Sequence, residues 1–327
     1  MSDRATPIIG ADVSSTEIVV AWADARHPTQ TIANNRNRIL AWLKQLPSEA
    51  VIGMEATGHF HHLLADDAAR RGHTVYVVNP KHLAHYARGV GQRGKTDLLD
   101  AQVIARYVDR ERDHLHAYVV PSTLQRTLRT LLSQRAAVIR HAVAITQNLH
   151  STVASGGTSL NRARQRALQG LDALVAEIDA ELKRVVAAQA TLEAKRAQLQ
   201  TIVGIGFLNS IALTHRFDRT PFSNSDAVVA AYGLDPRPRD SGKHVGKRYL
   251  TKQGNPEDRR LIYLAAQSAA KTQTFKPIYT ALIAKGFATT EAIVIIARKL
   301  LRIAFAVWTS GKPFDPNKIH KITCKKP

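Results

Sequence analysis

Asp97 and Asp100 stand three residues apart in "KTDLLDAQ", a spacing that turns both carboxylates to one side of a helix start. Two more acids close strand-like runs, Asp12 in "IIGADVSS" and Glu55 in "VIGMEATG". Strand ends are where open α/β sheets place their sites. Four carboxylates at two strand ends and one helix start, in a strongly basic chain, suggest a single cluster. Four hard oxygen ligands suit Mg2+ or Mn2+. Two such ions about 4 Å apart can clamp the attacking and leaving oxygens of a phosphodiester. Each acid also has a plainer reading. A lone Asp or Glu after a strand is commonly a turn former, and Asp97 complements a helix dipole. Asp100, a turn further in, fits the dipole reading less well.

The residues entering this pair offer a competing chemistry. Residues 89–100, "GVGQRGKTDLLD", satisfy both G-x-x-x-x-G-K-[ST] and G-x-G-x-x-G. A phosphate-binding loop works because a strand feeds straight into it and aims successive amides at the phosphates. Here "NPKHLAHYAR" precedes the loop, a helical pattern, and the nearest strand ends at Val78. The nucleotide and dinucleotide readings therefore lack their structural context. A sugar-kinase-like ATPase shares a strand–turn–strand opening around an Asp such as Asp12, but no second Gly-rich phosphate loop is suitably placed.

The elements that must carry the acids are legible. "PIIGADV" and "EIVVAWA" flank a short polar turn as a hairpin does, and a third short strand fits Thr29 to Ala33. A helix with Ile39, Leu40, Trp42 and Leu43 follows. Then come a buried strand in "AVIGME", a helix in "HFHHLLADDAARRG" stopped by Gly72, and a strand in "HTVYVV". Pro80 opens a helix that stops at Gly89, and Thr96 N-caps the helix "TDLLDAQVIARYV". Three early strands followed by alternating helices and strands predict a mixed α/β sheet.

The middle changes character. Leu124, Leu128, Leu131, Val138, Ala142, Ile145 and Leu149 fall on alternating three- and four-residue steps. The same holds for Leu171, Val175, Ile178, Leu182, Val185, Leu192 and Leu199. With the linker-like "ASGGTSLNRARQR" between them, two long helices forming a coiled-coil hairpin or dimer arm are expected, paired imperfectly because Arg135 and Arg196 occupy seam positions. Beyond it, "TIVGIGFLNSIALTH" has the form of a helix-hairpin-helix, whose second helix start could hold a backbone phosphate; a plain Gly-containing helix start reads equally well. A short helix, a Pro- and Gly-rich basic loop, and helices near 257–272 and 289–308 complete the chain.

Charge points to the partner. The 327 residues carry 46 Lys and Arg against 26 Asp and Glu, a net +20. Such self-repulsion favours a polyanionic partner, nucleic acid first. No acid occurs from His114 to Leu171, while Arg126, Arg129, Arg135, Arg140, Arg162, Arg164 and Arg166 accumulate, so this stretch is expected to meet phosphates. A membrane is disfavoured by the absence of a long apolar run, signal peptide or lipidation motif. The single Cys324 excludes a disulfide framework and a Cys-based zinc site, which suggests a reducing, cytoplasmic setting. His59, His61 and His62 in "HFHH" are read as surface histidines, and His82 and His85 as a helix face. Aromatics at 6% disfavour a stacking single-strand binder.

At this point the residues carry a resemblance. "IIGADVSS", "MEATGHFHHLLA" and "VNPKHLAHYARGVGQRGKTDLLDAQVIARYV" resemble the RuvC-like domain of the DEDD transposases of insertion sequences. This is the family of insertion sequence one-hundred-and-ten, which includes the Piv-type DNA invertases. "IVGIGFLNSIALTH" and "AAYGLDPRPRDSGKHVGKRYLTKQGNPEDRRLIYLAAQ" are similar to that family's C-terminal transposase domain. Two departures, Ala11 where Ile is commoner and Val203 where Pro is commoner, remove no catalytic group.

The resemblance implies an RNase H/RuvC-like α/β domain over 1–113, a coiled-coil basic helical region over 114–200, and a mainly α C-terminal transposase domain over 201–327. It implies that Asp12, Glu55, Asp97 and Asp100 hold Mg2+ or Mn2+, and that Ser241 attacks DNA to form a phosphoserine link. Read without the resemblance, a Ser in "RPRDSGK" is a turn residue. Arg237, Arg239, Lys243, Lys247 and Arg248 surround it in sequence and could bind the scissile phosphate. The implied partners are donor and target double-stranded DNA, a structured non-coding bridge RNA held by the Arg126–Arg166 stretch, and further copies of the chain. The copies would form a dimer or a tetramer built as a dimer of dimers, with a composite site completed by a second protomer. A RuvC-type junction nuclease using water, and a non-catalytic nucleic-acid scaffold, remain the alternatives.

Overall fold

The structure is a computed structural model and describes residues 6–24, 27–56, 58–92, 94, 96–154, 161–237 and 248–319, with the side chains of 149–154 excepted. The chain divides into two compact units, Met1–Val120 and Pro121–Pro327.

The first unit is built on a five-stranded sheet in the order β3-β2-β1-β4-β5. β1 (Ile8–Val13) and β2 (Glu17–Trp22) form the expected hairpin, and β3 (Gln30–Ala33) adds antiparallel to β2. β4 (Val51–Glu55) lies parallel to β1, and β5 (Thr74–Val78) parallel to β4. Strands covered on both faces carry apolar residues at nearly every position, and the alternation sorts them. Ile9, Ala11 and Val13 of β1, with Ile52 and Met54 of β4, face helices α1 (Arg36–Leu43) and α2 (His62–Arg70), where Ile39, Trp42, Leu43, Leu64 and Ala68 complete a core. Val51 of β4 packs on the other face against Ile104 and Val108 of α4 (Asp97–Glu111). Between β5 and α4 runs α3 (Pro80–Gly89), capped by Asn79, whose Oδ1 accepts from the Lys81 amide at 2.9 Å. A helix thus precedes the glycine-rich stretch at 89–96, and no strand feeds it. This mixed sheet is consistent with the expected RuvC-like domain.

The second unit is helical. α5 (Thr123–Ala154) packs along α6 (Asn161–Ala187) through Leu128, Ile178, Leu182 and Val186. The apolar steps from Leu171 to Leu199 predict one uninterrupted helix, but α6 ends at Ala187 and α7 (Ala190–Gln200) starts afresh. Leu192 still joins the α5–α6 cluster, whereas Leu199 enters a separate core with Leu213 and Phe217 of α8 (Phe207–Arg219) and Leu300 of α12 (Thr289–Ser310). The middle helices fall in one compact unit with the C-terminal residues.

Arg196, read as a seam defect, is 7% exposed and fully engaged. Its guanidinium donates to Glu193 at 2.6 Å and to the Ser210 hydroxyl at 3.2 Å, and lies over the Phe207 ring. The short helix α9 (Ser225–Ala231), a two-stranded ladder of β6 (Pro236–Arg237) and β7 (Tyr249–Leu250), and helices α10 (Pro256–Ala269) and α11 (Lys276–Ala284) complete the unit. Among the described residues no helix is long and apolar enough to cross a membrane.

Candidate active site

Two glycines set the site's floor. Gly10 of β1 pairs with Gly53 of β4 across the parallel ladder. With no side chain at either position, α4 descends onto the sheet: a Cβ added at Gly10 would fall 2.1 Å from the Ala101 carbonyl oxygen, and one at Gly53 would fall 2.5 Å from a Val108 methyl. Successive strand side chains alternate faces, so Asp12 shares the face of Gly10 and Glu55 shares that of Gly53. The paired register ends at Ala11↔Met54, and Asp12 and Glu55 stand one step further along the two strands. Each strand carries Gly two residues before its acid. That repeated Gly-x-Asp and Gly-x-Glu pattern is a sequence signal for the helix-bearing face, and reading the acids one at a time overlooks it.

The helix supplies the other pair. Asp97 lies on the same stripe as Ala101, Ile104 and Val108, and Asp100 one turn along. Since Ala101 and Ala105 sit over Gly10, the N-terminal turn of α4 reaches toward the Asp12 end of β1. Thr96 fixes that turn, its hydroxyl accepting from the Leu99 amide at 3.3 Å.

Electrostatics show the convergence. The Asp12 carboxyl is pushed up to about 6, first by burial, then by the charges of Asp97, Asp100 and Glu55 in that order, with the Val13 backbone hydrogen bond partly offsetting them. All three other acids of the set therefore act on Asp12. They converge without closing into a finished coordination shell: among the described residues no three His, Cys, Asp or Glu side chains are grouped tightly enough to hold a metal ion as they stand. The donor set nevertheless fits a hard divalent cation. Carboxylates that repel one another are stabilised by positive charge, and oxygen-only ligation suits Mg2+ or Mn2+.

The neighbouring histidines do not extend this set. His82 and His85 are exposed on α3, as expected of a helix face. His61, expected at the surface, is 4% exposed, with its ring 4.2 Å from that of His62. It is the N-cap residue of α2.

In the second unit, Ser241 lies outside the described residues, as do Arg239, Lys243 and Lys247. The residues on either side of this segment pair with one another. β6 and β7 pair Pro236 with Leu250 and Arg237 with Tyr249, and the Thr251 hydroxyl bonds to Asp235. Behind this ladder two turns interlock. Gly233 (φ 66°) abuts Gln253, Gly254 (φ 88°) abuts Ala231, and the Arg259 guanidinium donates to the Gln253 and Gly254 carbonyls at 3.0 Å each. Arg237 and Arg248, which flank residues 238–247 in the chain, are thereby held close to one another.

Along the basic middle, Arg129, Arg140, Arg162 and Arg166 are exposed, and Arg126 and Arg164 half-buried. Arg135 differs: it makes a bidentate ion pair with Asp179 of α6, at 2.6 and 3.0 Å, so it ties α5 to α6.

Known proteins resemble both parts of the chain. A family model for IS110-type DEDD transposases matches residues 9–156, the stretch that contains all four acids. A second, for transposases of the IS116/IS110/IS902 family, matches residues 196–280, which contain the β6–β7 platform. A pilin gene-inverting protein of Moraxella lacunata, and that of Moraxella bovis, are each 28% identical over 277 residues, 82% of both chains. A 44.8 kDa protein of insertion element IS116 from Streptomyces clavuligerus is 26% identical over 100 residues, 30% of this chain and 25% of its own. These matches make the chain a DNA recombinase of the transposase class, an enzyme whose substrate is DNA. More particularly, the chain belongs to the IS116/IS110/IS902 family of transposases.

Proposed function

We propose that the chain cuts and rejoins DNA with two catalytic elements, one in each unit: the carboxylates Asp12, Glu55, Asp97 and Asp100, which hold Mg2+ or Mn2+, and Ser241, which acts as nucleophile. The observation that carries the metal reading is the joint action of the other three acids on Asp12. A divalent cation bound there supplies the charge that neutralises the scissile phosphate and eases proton loss from the attacking hydroxyl. The protein's own part is to hold the carboxylates at one end of the sheet and to present Ser241 on the loop closed by β6 and β7.

Attack of the Ser241 Oγ on phosphorus forms a phosphoserine ester and breaks one P–O bond to deoxyribose. The serine proton is given up, and the departing sugar oxygen takes a proton to become a hydroxyl. Attack by a hydroxyl of the exchanged strand reverses the step, rejoins the DNA and restores the serine. Arg237 and Arg248, with Arg239, Lys243 and Lys247, would bind the phosphate during this exchange.

The arginines from Arg126 to Arg166, Arg135 excepted, are the proposed contact for nucleic acid, including a structured guide RNA, where phosphate and shape dominate recognition. The active assembly is a homo-oligomer, a dimer or a dimer of dimers. The reading is tested by incubating the protein with DNA from the ends of its own element in Mg2+ and denaturing the mixture. Wild type should leave protein covalently attached to DNA, Ser241→Ala none, and Asp12→Asn none. Strand cleavage by Ser241→Ala without any adduct would instead identify a junction nuclease that uses water.

A further inference from the structure

Asp12 and Glu55 leave their strands into two different turns, and one side chain joins those turns. The turn after β1 is self-contained: the Ser14 hydroxyl accepts from the Glu17 amide at 3.0 Å and donates to the Glu17 carbonyl at 2.9 Å. The turn after β4 runs through Phe60 into α2. Asn34, one residue past β3, sits between them. Its Nδ2 donates to the Ser14 carbonyl at 2.7 Å and to the Phe60 carbonyl at 3.3 Å, and its own amide donates to the Thr16 carbonyl at 2.8 Å.

Two carbonyl acceptors can be met only by an NH2 group with two protons, which fixes the amide's orientation. Ser14 is two residues beyond Asp12 and Phe60 five beyond Glu55, so the bridge sets the spacing of the segments that leave the two acids. The far side of Glu55 is already fixed, since the Ala56 amide donates to the Val78 carbonyl at 3.0 Å. With β5 holding one side of the β4 end and Asn34 the other, the Glu55 backbone has little freedom relative to Asp12.

We propose that Asn34 is a positioning residue of the carboxylate site, bridging the turns after Asp12 and Glu55 so that both acids serve one divalent cation. This rests on the metal-binding reading above. Asn34 touches neither cation nor DNA; it acts through the two backbones. Partners of this indirect kind typically alter metal affinity by 10–100-fold when removed.

The test is direct binding of Mn2+ to the full chain, without DNA, by isothermal titration calorimetry, alongside thermal melting in EDTA. The proteins are wild type, Asp12→Asn, Asn34→Ala, and Asn34→Asp, which keeps the size but loses the two donors. Wild type should bind Mn2+ and Asp12→Asn should not. Both Asn34 variants should melt as folded proteins in EDTA and bind about tenfold more weakly. Asp12-dependent binding that both Asn34 variants retain at wild-type strength overturns the positioning role alone. If neither variant folds in EDTA, Asn34 belongs to the fold and the role is likewise overturned. Absence of binding by wild type, or binding indifferent to Asp12→Asn, removes the metal reading itself and this proposal with it.

Discussion

The backbone of Ala101 lies directly on Gly10: a Cβ at residue 10 would stand 2.1 Å from the Ala101 carbonyl oxygen and 2.4 Å from the Ala105 amide nitrogen. This contact brings the Asp97–Asp100 turn within reach of Asp12, and it makes the two floor glycines unequal. At Gly10 the obstacle is backbone, so Gly10→Ala must lift α4 off the sheet, costing about 3 kcal/mol or more of stability and abolishing recombination. At Gly53 the obstacle is the Val108 side chain, so Gly53→Ala should cost about 1–3 kcal/mol and be partly rescued by Val108→Ala. Urea unfolding of the two single variants and the double variant measures the difference.

The crowding of like charge around Asp12 opposes folding. Asp12→Asn removes one member of the repelling set. In EDTA it should raise the melting temperature of the first unit, by a gain of about 1 kcal/mol once solvent screening of a half-buried group is allowed for, while eliminating recombination. Calorimetric scans of both proteins in EDTA check the sign, which is opposite to that of most substitutions in a packed site.

His215 on α8 gives the second unit an acid-sensitive element. Burial, then the charges of Arg219, Arg216 and Arg129, lower its pKa to about 4 against 6.5 in the unfolded chain, with Asp218 pulling weakly the other way. A depressed base binds its proton first in the unfolded state. The stability it contributes is therefore complete above about pH 6.5 and is lost as pH falls toward 4, up to about 3 kcal/mol. Urea midpoints measured at pH 7 and pH 5 should differ less in His215→Gln than in wild type.

The platform beneath the Ser241 loop should matter more for the covalent step than for DNA affinity. Gly233→Ala and Gly254→Ala each force a side chain into a left-handed backbone and against a carbonyl, at 2.0 Å from Gln253 and 2.1 Å from Ala231. Each should reduce phosphoserine adduct at least about tenfold, equivalent to about 1.4 kcal/mol, with DNA binding in a gel-shift assay changed less than about threefold on the same free-energy scale.

Among the basic residues the structure separates two kinds. Exposed Arg140, Arg162 and Arg166, changed to Ala, should each lower the slope of log affinity for RNA or DNA against log salt by about 1 wherever that residue meets a phosphate. Arg135→Ala should leave the slope unchanged and instead cost about 1–3 kcal/mol through loss of the charged hydrogen bonds to Asp179. Filter binding across a salt series, beside urea unfolding, distinguishes them.

Much of this arrangement was readable in the chain. β1 and β2 announce themselves by apolar runs around a polar turn, and Thr96 by its place before Asp97. What could not be read was set by packing between distant segments. Nothing near Ala187 stops a helix by composition, yet α6 ends there and α7 starts at Ala190. Arg135 looked like one more phosphate ligand because Asp179 is 44 residues away in sequence. The bridge made by Asn34 depends on two backbone carbonyls, which carry no sequence signal at all.

Recombination in cells of a plasmid carrying the DNA that flanks this reading frame, driven by wild type or by Asp12→Asn, Glu55→Gln, Asp97→Asn and Asp100→Asn singly, tests the shared carboxylate site most directly. Each variant should accumulate as folded protein and lose at least about 100-fold of the recombination, on the order of 2.7 kcal/mol in the activation barrier. Full activity in Asp97→Asn and Asp100→Asn, with loss confined to Asp12 and Glu55, would contradict a single site built from β1, β4 and α4.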